Sequence, residues 1–377
     1  MINKSSLKII MVIFILFLTT CFLISSVSGA KITVNNADGI QGAITKSNNG
    51  DTIELNPGKY TGSKNIALTI SKKVTISGKG PAKSVIIDAQ KMDRIFTITG
   101  NADVVFRNIT FTNGNMHAAT SYGNIFINSG SRATFINCIF TNNSAMIGAA
   151  IYNKGYCRVV NSTFTKNTGA LDGSINNVDG GNLVVSNSIF TNNHITAYGG
   201  VITNFRSHSQ VTGSSFTKTS GNVSSGFAGF YNDAGTATLK NSILKNNKYA
   251  GIINTGSITV GDNTLSGNPY GNFLSNGTVK DESRLKTYLT LAKPQVKYGK
   301  KATFKATLKN HLKKAMKSRS ISFYVNDKYF GKAKTNSKGI ATLTKKVTKK
   351  GKLNFTAKYS GTKTFKNSSY TRKVTVK

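Results

Sequence analysis

The sequence predicts an all-β protein, in which a right-handed parallel β-helix (a β-solenoid) is followed by an immunoglobulin-like β-sandwich. Three observations support this fold class. Two short phrases rich in β-branched and aromatic residues alternate through the middle of the chain with a period of 21 to 29 residues. No segment there is long or amphipathic enough for a helical repeat. The composition then changes sharply near Lys280. A period of this length is typical of stacked coils.

The first phrase occurs seven times between residues 104 and 268, for example as VVFRNITFTNGN and LVVSNSIFTNNH. Its large apolar residue is predicted to form a buried column: Phe111, Phe140, Phe164, Phe190, Phe216, Leu244 and Leu265. Three residues earlier stand Asn108, Asn137, Asn161, Asn187 and Asn241, with Gly213 and Asp262 in the other two copies. Since Asn tolerates the left-handed conformation, these positions are predicted to be corners of the scaffold, with amides that can bond between coils.

The second phrase follows half a period later, as in GNIFINSG, GAAIYNKG and GGVITN. Each coil therefore has at least two strands. Leucine-rich repeats have a similar period but need a lattice of Leu, which this chain does not supply. The remaining architecture is a parallel β-helix of about nine coils, stacked at roughly 4.8 Å.

The segment before the repeats predicts export. Residues 1–30 combine Lys4 and Lys8, an apolar run and the small residues Ser28-Gly29-Ala30, which together indicate a signal peptide. The alternative, lipid anchoring at Cys21, is disfavoured because Thr20 stands where a small residue usually precedes the Cys. Beyond the signal, Gly39 to Ser47 is predicted to be a short helix that plugs the open end of the solenoid.

A family resemblance supports this architecture. The run DTIELNPGKYTG, ISKKVTISGKGP and SVIIDA, with the repeated NSxFTNN and GGAIYN-like phrases, resembles the pectate-lyase-like right-handed β-helix superfamily. Within it, the chain most resembles the adhesin-like surface proteins of methanogenic archaea. The resemblance covers about residues 31–280. It implies an exported, cell-surface, adhesin-like protein, and it is specific for the fold rather than for the function.

Residues 281–377 are predicted to be a second domain. They contain 27 Lys and Arg against three acidic residues, a net charge of +24, whereas residues 31–280 carry +11. Strands are predicted at Tyr288 to Leu291, Ala302 to Leu308, Ser320 to Asn326, Gly339 to Lys345, Leu353 to Tyr359 and Lys373 to Val376, with a tight turn at 336–339. The segment resembles the immunoglobulin-like modules of bacterial and archaeal surface proteins, without the Cys pair and core Trp of antibody domains.

The pattern of carboxylates predicts no enzymatic activity. β-Helix enzymes that cleave polyuronates use clustered carboxylates to hold calcium or to act as acid and base. No DD, NTD, GHG or RIK element occurs here. Asp172 and Asp179 fall in one coil and Asp233 about two coils on, which allows a shared face but gives no support for one. Tyr152, Tyr198 and Tyr231 could contact glycans and are predicted to be packing or edge residues. A polysaccharide lyase or glycoside hydrolase acting on an acidic polysaccharide is the alternative.

The remaining reactive side chains indicate no cofactor, metal or catalytic site. His117, His194, His208 and His311 are scattered in predicted turns without metal-ligand spacing. Cys138 and Cys157 are not equivalent positions of successive coils, so a disulfide between them is disfavoured. Seven N-x-Ser/Thr sequons follow the signal, at Asn108, Asn142, Asn161, Asn222, Asn276, Asn354 and Asn367.

The basic C-terminal domain admits three interpretations. Its lysines could protect strand edges, attach the chain to an anionic envelope polymer, or bind nucleic acid. Export and the lack of a recognition helix disfavour nucleic acid. The sequence therefore predicts a secreted protein at the extracellular cell surface, whose rod presents a binding surface to envelope polymers, glycans or other cells, without a transmembrane segment after signal removal. A purely structural envelope component is a further alternative.

Overall fold

The computed structural model of the protein describes residues 29–115, 121–221, 226–362 and 364–377. The chain divides into two compact units, one ending at Asp281 and the other spanning Glu282–Lys377. Each has its own buried core. We refer to the first as the solenoid and to the second as the Ig-like domain. The predicted signal peptide, residues 1–30, lies outside the described residues apart from its last two positions. In the described parts of the chain, no helix is long and apolar enough to cross a membrane.

Three parallel sheets form the wall of the solenoid, and the fold-class prediction is confirmed. Sheet 1 consists of Lys31–Val34, Thr52–Leu55, Val74–Gly78, Asp103–Arg107, Arg132–Ile136, Tyr156–Val160, Asn182–Ser186, His208–Thr212, Thr236–Lys240, Ser257–Gly261 and Thr278–Asp281. Sheet 2 consists of Gly58–Tyr60, Val85–Asp88, Thr110–Thr112, Ile139–Thr141, Thr163–Thr165, Ile189–Thr191, Ser215–Thr217, Ile243–Lys245 and Thr264–Ser266. Sheet 3 consists of Leu68–Ile70, Phe96–Ile98, Ile125–Ile127, Ile151–Asn153, Ile175–Val178, His194–Phe205, Phe227–Asp233, Ala250–Asn254 and Gly271–Ser275.

A short side ladder adjoins sheet 3. It consists of Ser144–Ile147, Thr168–Leu171 and Ser220–Gly221, which pair in parallel with one another or with the first half of His194–Phe205. The long strand His194–Phe205 therefore belongs to both the side ladder and sheet 3. The middle coils therefore carry an additional ladder of strands beside sheet 3.

The first repeated phrase contains two strands, because a sharp bend divides it. In one coil Asp103–Arg107 belongs to sheet 1 and Thr110–Thr112 to sheet 2, with Asn108 between them. The predicted corner positions all adopt the left-handed conformation, with φ between 48° and 58°: Asn108, Asn137, Asn161, Asn187, Gly213, Asn241 and Asp262. Because Asn and Gly adopt this conformation at the lowest cost, the predicted corner role is confirmed.

The large apolar residue of the first phrase lies in the core, as predicted. Phe140, Phe164, Phe190 and Phe216 stack in a column with ring centroids 4.4 to 4.8 Å apart and interplanar angles of 6° to 10°. All four are fully buried. The centroid spacing matches the distance between paired strands, so the register of the coils itself produces the stack.

Two ladders of buried asparagines also connect the coils, and the sequence analysis identified neither. In the first, the side-chain amide of each residue donates to the side-chain oxygen of the next at 2.6 to 2.8 Å: Asn153, Asn177, Asn204, Asn232 and Asn254. The second includes Asn143, Asn167 and Asn193, at 3.0 and 3.1 Å. These amides also bond to backbone carbonyls at the turns, for example from Asn177 to Gly181 at 3.1 Å.

The N-terminal plug is a helix, Ile40–Lys46. It buries Ile40, Ala43 and Ile44 against the first coils. At its C-terminal end the Lys72 ammonium donates to three backbone carbonyls at 2.6 to 3.0 Å. Since the last carbonyls of a helix have no partner within it, this lysine stabilises the helix end. The predicted plug at Gly39 to Ser47 is confirmed.

The Ig-like domain is built from two antiparallel sheets. One contains Thr287–Leu291, Lys301–Asn310 and Ile340–Lys346, and the other contains Lys328–Lys334, Ser320–Val325, Gly351–Tyr359 and Ser368–Val376. The strand Lys328–Lys334 was missed, because five of its seven residues are Lys, Gly or Ala. The predicted turn is present, since the Asn336 side chain accepts from the Lys338 and Ile340 amides at 3.0 Å.

Candidate functional site

A groove lies on the face of sheet 3 beside the side ladder. The cavity has a volume of about 340 Å³. Its polar lining consists of three tyrosines, three carboxylates, one amide and one hydroxyl: Tyr122, Tyr152, Tyr198, Asp172, Asp179, Asp233, Asn176 and Thr203. We call it the tyrosine–carboxylate groove. The sequence analysis placed Asp172 and Asp179 in one coil and Asp233 about two coils on, without support for a shared face. In the structure all three line one cavity.

Strand register explains why these side chains meet. Tyr152 pairs with Asn176, Asn176 with Thr203, and Thr203 with Tyr231, so the four residues occupy the same position in successive coils. In a strand, neighbouring residues point to opposite faces, so equivalent positions form a continuous row along one face. Asp172 follows directly on the side-ladder strand Thr168–Leu171. The groove therefore lies between this row and the side ladder.

Asp172 is the most perturbed acidic group of the groove. It is 6 % exposed. Its two carboxylate oxygens accept hydrogen bonds from the Thr203 hydroxyl and the Asn176 amide. Burial raises the pKa of Asp172, these hydrogen bonds act to lower it and the nearby Asp233 acts to raise it, and the net pKa is about 7. Among the described residues no cation forms an ion pair with Asp172. At neutral pH the carboxyl is therefore divided between its protonated and ionised forms.

The backbone around Asp172 leaves little freedom for this carboxyl. Asp172 has a φ of 70°, and its amide donates to the Tyr198 carbonyl at 2.9 Å. A Cβ at Gly199 would lie 2.0 Å from a carboxylate oxygen of Asp172. Gly199 itself has a φ of 110°, so only glycine fits this position without strain. The carboxyl is held in one place by its neighbours.

A pair of tyrosines lies next to Asp172. The Tyr198 and Tyr231 hydroxyls are hydrogen-bonded to each other, and their rings are in an edge-to-face arrangement with centroids 5.3 Å apart. The Tyr198 hydroxyl also donates to Asp233 at 3.4 Å. Burial is the main cause that raises the pKa of Tyr198 above its ordinary value. Tyr198 is 41 % exposed, whereas Tyr231 is 5 % exposed, so Tyr198 presents its ring to the groove opening.

Asn176 has one polar atom without a partner. Its side chain is 3 % exposed. The amide nitrogen donates to Asp172, and the side-chain oxygen has no hydrogen-bond partner among the described residues. Buried acceptors without partners are rare in folded proteins and call for an explanation. Asn176 lines the groove, but this oxygen is itself buried.

An aromatic surface extends the groove toward earlier coils. The Tyr152 ring lies 4.7 Å from Tyr122 and 5.2 Å from Phe126 by ring centroids. The Arg94 guanidinium lies 5.0 Å above the Phe126 ring and donates to the Tyr122 carbonyl at 2.9 Å. Tyr152, Tyr198 and Tyr231 were predicted to be packing or edge residues, and Tyr152 and Tyr231 do pack. They also form part of the row beside the groove, a second role that the prediction did not include.

The other side chains considered in the sequence analysis do not join this site. His194 bonds to Ser220 at 2.9 Å, His208 and His311 are exposed, and His117 lies outside the described residues. Cys138 and Cys157 are buried and free, and burial raises the pKa of both thiols above the ordinary value. Within the described ranges, no group of three or more His, Cys, Asp or Glu side chains could hold a metal ion.

Comparison with known proteins agrees with both architectures. Residues 93–269 match the family model described as right handed beta helix region. Residues 289–377 match the model described as bacterial Ig-like domain (group 3). No curated protein matches the chain.

Two solved structures similar to this chain are a PL6 family alginate lyase, AlyGC, and a mutant of the same enzyme. The identities are 17 % and 18 %, and both TM-scores are 0.45. The matches cover 68 % and 67 % of this chain but only 40 % and 38 % of the lyase chains, so this chain spans well under half of their length.

These neighbours correct one prediction. The sequence analysis predicted no enzymatic activity, because the carboxylate motifs of β-helix enzymes are absent, and kept a polysaccharide lyase or glycoside hydrolase as the alternative. That prediction was wrong, since two solved structures similar to this chain are of an alginate lyase. The physical reason lies in the solenoid itself. Coil stacking brings residues 20 to 60 positions apart onto one face, so a carboxylate site needs no local motif.

Proposed function

We propose that the chain cleaves a polysaccharide, that the tyrosine–carboxylate groove binds the sugar chain, and that Asp172 donates a proton to the glycosidic oxygen. One observation carries this proposal. Asp172 is a buried carboxyl without a cationic partner among the described residues, its pKa is raised to about 7, and it lines an open groove of tyrosines. Carboxyl groups with such values are suited to general acid catalysis near neutral pH.

The proton transfer is common to two reaction types. The proton moves from Asp172 to the glycosidic oxygen as the bond to carbon breaks, and the departing sugar keeps it as a hydroxyl. In hydrolysis a water then adds to the anomeric carbon, and Asp233 is the second carboxylate that could accept its proton. In elimination a base removes the proton from carbon 5 of a uronate, and a double bond remains. Asp172 regains its proton from water in either case.

The rest of the groove supplies binding groups. Aromatic rings offer flat apolar faces with a polar tip, which suits the faces and hydroxyls of a sugar. The row through Phe126 and Tyr152 provides further aromatic surface over earlier coils. The aromatic rings alone can bind a neutral sugar, and Arg94 at this end could pair with the carboxylate of an acidic sugar. Acidic and neutral polysaccharides are therefore both candidates.

The test is an activity assay on the full chain with a panel of neutral and acidic polysaccharides, including alginate and polygalacturonate. New reducing ends report cleavage of either type, and ultraviolet absorbance of an unsaturated product reports elimination alone. We expect Asp172→Asn to lower the rate by 10²- to 10⁴-fold, which is the usual contribution of a general acid. Asp103→Asn is the matched control, because Asp103 begins a sheet 1 strand outside the groove.

Two outcomes would overturn this proposal. One is the lack of any product across the panel. The other is cleavage that Asp172→Asn leaves unchanged. A product with ultraviolet absorbance would assign elimination, and a product without it would assign hydrolysis.

A second candidate function concerns attachment. The net charge of +24 on residues 281–377 supports a role in holding the chain to an anionic envelope polymer. With the predicted export, this is the adhesin-like role that the family resemblance implies, at the cell surface and in contact with envelope glycans. The two functions are compatible, because the charge and the groove belong to different units of the chain.

Charge variants of the full chain test the attachment role. We expect binding to wall preparations to fall as salt rises to a few tenths molar, where screening acts over a few Å. Replacing Lys305, Lys332, Lys334 and Lys346 by Gln should weaken binding. The same change at Lys79, Lys83, Lys166 and Lys218, which are exposed on the solenoid, should have less effect. Equal effects of the two sets, or retention that ignores salt, would contradict it.

A further inference from the structure

The Ig-like domain has a cavity of its own, separate from the groove of the solenoid. It has a volume of about 530 Å³ and lies where the strands Gly351–Tyr359 and Ser368–Val376 meet the intervening turn. Tyr324 from the neighbouring strand completes it. The other lining residues are Lys358, Tyr359, Ser360, Asn367, Ser368 and Ser369. Each of these described lining side chains carries a polar group, one of them is a cation and none is a carboxylate.

The cation of this cavity has no carboxylate partner. Lys358 lies on the same sheet face as Tyr324, and its ammonium is 4.7 Å from the centroid of that ring. Among the described residues Lys358 forms no ion pair. The contact with the ring holds the ammonium in place without neutralising its charge. A ligand with a negative group would therefore find a positioned counter-charge.

Hydroxyl and amide groups surround this ammonium. Ser369 pairs directly with Lys358 across the two strands, and Ser368 pairs with Tyr359. The Ser368 oxygen already accepts a hydrogen bond from Thr287 at 2.9 Å, so its own proton is available to donate. Tyr359 is 4 % exposed, and its hydroxyl has no hydrogen-bond partner among the described residues. A buried hydroxyl without a partner is rare and calls for an explanation.

We propose that this cavity is a second saccharide site and that it takes an acidic sugar unit. The carboxylate or sulfate of the sugar pairs with Lys358, and the sugar hydroxyls bond to the serines and to Asn367. The inference does not rest on the cleavage proposed for the solenoid.

The test is calorimetric titration of the full chain with a tetramer of galacturonate and, separately, with a neutral tetramer of glucose. Every variant used in the titrations also carries Asp172→Asn, so that the protein cannot cleave the ligand during the measurement. We expect the galacturonate tetramer to bind. Lys358→Gln should weaken that binding about ten-fold, which corresponds to 1.4 kcal/mol. Lys352→Gln is the matched control, because it removes the same charge from the same face of the same strand.

The outcomes distinguish a specific binding site from general electrostatic attraction to the basic domain. Ten-fold weakening by Lys358→Gln with less than two-fold by Lys352→Gln supports the site. Equal weakening by the two variants would show general attraction to the basic domain and would overturn it. Equal binding of the glucose tetramer would overturn the acidic specificity. Tyr324→Ala provides a second variant, since it removes the ring under Lys358 and retains the charge. It should also weaken binding.

Discussion

The solenoid and the Ig-like domain place their polar side chains differently. The solenoid stacks identical side chains in successive coils, so an asparagine can be fully buried and still be bonded to its copies, as Asn177 is by Asn153 and Asn204. In the Ig-like domain strands alternate apolar and polar residues, as in Lys301–Asn310, and the lysines remain at the surface. The comparison shows why a buried carboxyl such as Asp172 occurs in the solenoid, where stacked neighbours can hold it.

The largest effect should come from breaking the buried asparagine ladder. Asn177 is fully buried, and its amide donates to Asn204, Gly181 and the His208 carbonyl at 2.8 to 3.1 Å. Asn177→Ala would leave several buried groups without partners, each at about 1 to 3 kcal/mol. We expect the free energy of unfolding of the solenoid to fall by about 4 kcal/mol, measured by urea denaturation followed by circular dichroism.

The control for this substitution is Asn182→Ala, an exposed residue of the same coil. It should change the free energy of unfolding by less than about 0.5 kcal/mol, as surface substitutions usually do. If Asn177→Ala cost no more than its control, the ladder would not stabilise the solenoid, and the contrast with the Ig-like domain would fail.

The next effect concerns the buried carboxyl and depends on pH. Because the folded pKa of Asp172 is raised from 3.8 to about 7, the native state binds more protons than the unfolded state between these values. The Asp172 contribution therefore lowers stability as pH rises from about 4 to about 7. Asp172→Asn removes this titration, and Asn also accepts the left-handed φ.

We therefore expect Asp172→Asn to gain stability relative to the natural chain as pH rises, by up to roughly 4 kcal/mol at pH 8. The difference should be smallest near pH 4. Urea denaturation at several pH values measures it. A difference that stays constant from pH 4 to pH 8 would show that Asp172 has an ordinary pKa.

The smallest effect should come from the corners. Asn187 is exposed and has a φ of 50°. Asn187→Ala should cost about 1 kcal/mol, because Ala in the left-handed region is strained. Asn187→Gly should cost much less, since glycine adopts this conformation freely. Similar losses in thermal denaturation for both substitutions would mean that the side-chain amide, rather than the backbone, determines the corner.

Local patterns predicted the scaffold well. The corner asparagines, the Phe column and the plug helix each follow from residues close in sequence, because the left-handed bend and the burial period are local properties. The buried ladders were missed. Asn177 and Asn204 look like ordinary turn residues, and only the register of the coils shows that their amides meet.

The candidate site was harder to predict for the same reason. Asp172, Tyr198 and Asp233 are separated by 26 and 35 residues, and the coils vary in length, so the spacing alone does not place them on one face. The extra length of the strand His194–Phe205 and the side ladder creates the groove. The signal that could have found it is the occurrence of Tyr198 and Tyr231 beside the second phrase in coils that also carry carboxylates.

The central claim is that the solenoid holds a carboxyl with a pKa of about 7 and that this carboxyl donates a proton to a bound polysaccharide. The pH dependence of reducing-end release by the full chain, at saturating polysaccharide, tests it most directly. We predict that the rate declines as pH rises through about 7, by about ten-fold per pH unit beyond it, and that Asp172→Asn stays at background throughout. A rate that is constant or rises between pH 6 and pH 9, or that survives in Asp172→Asn, would contradict the account.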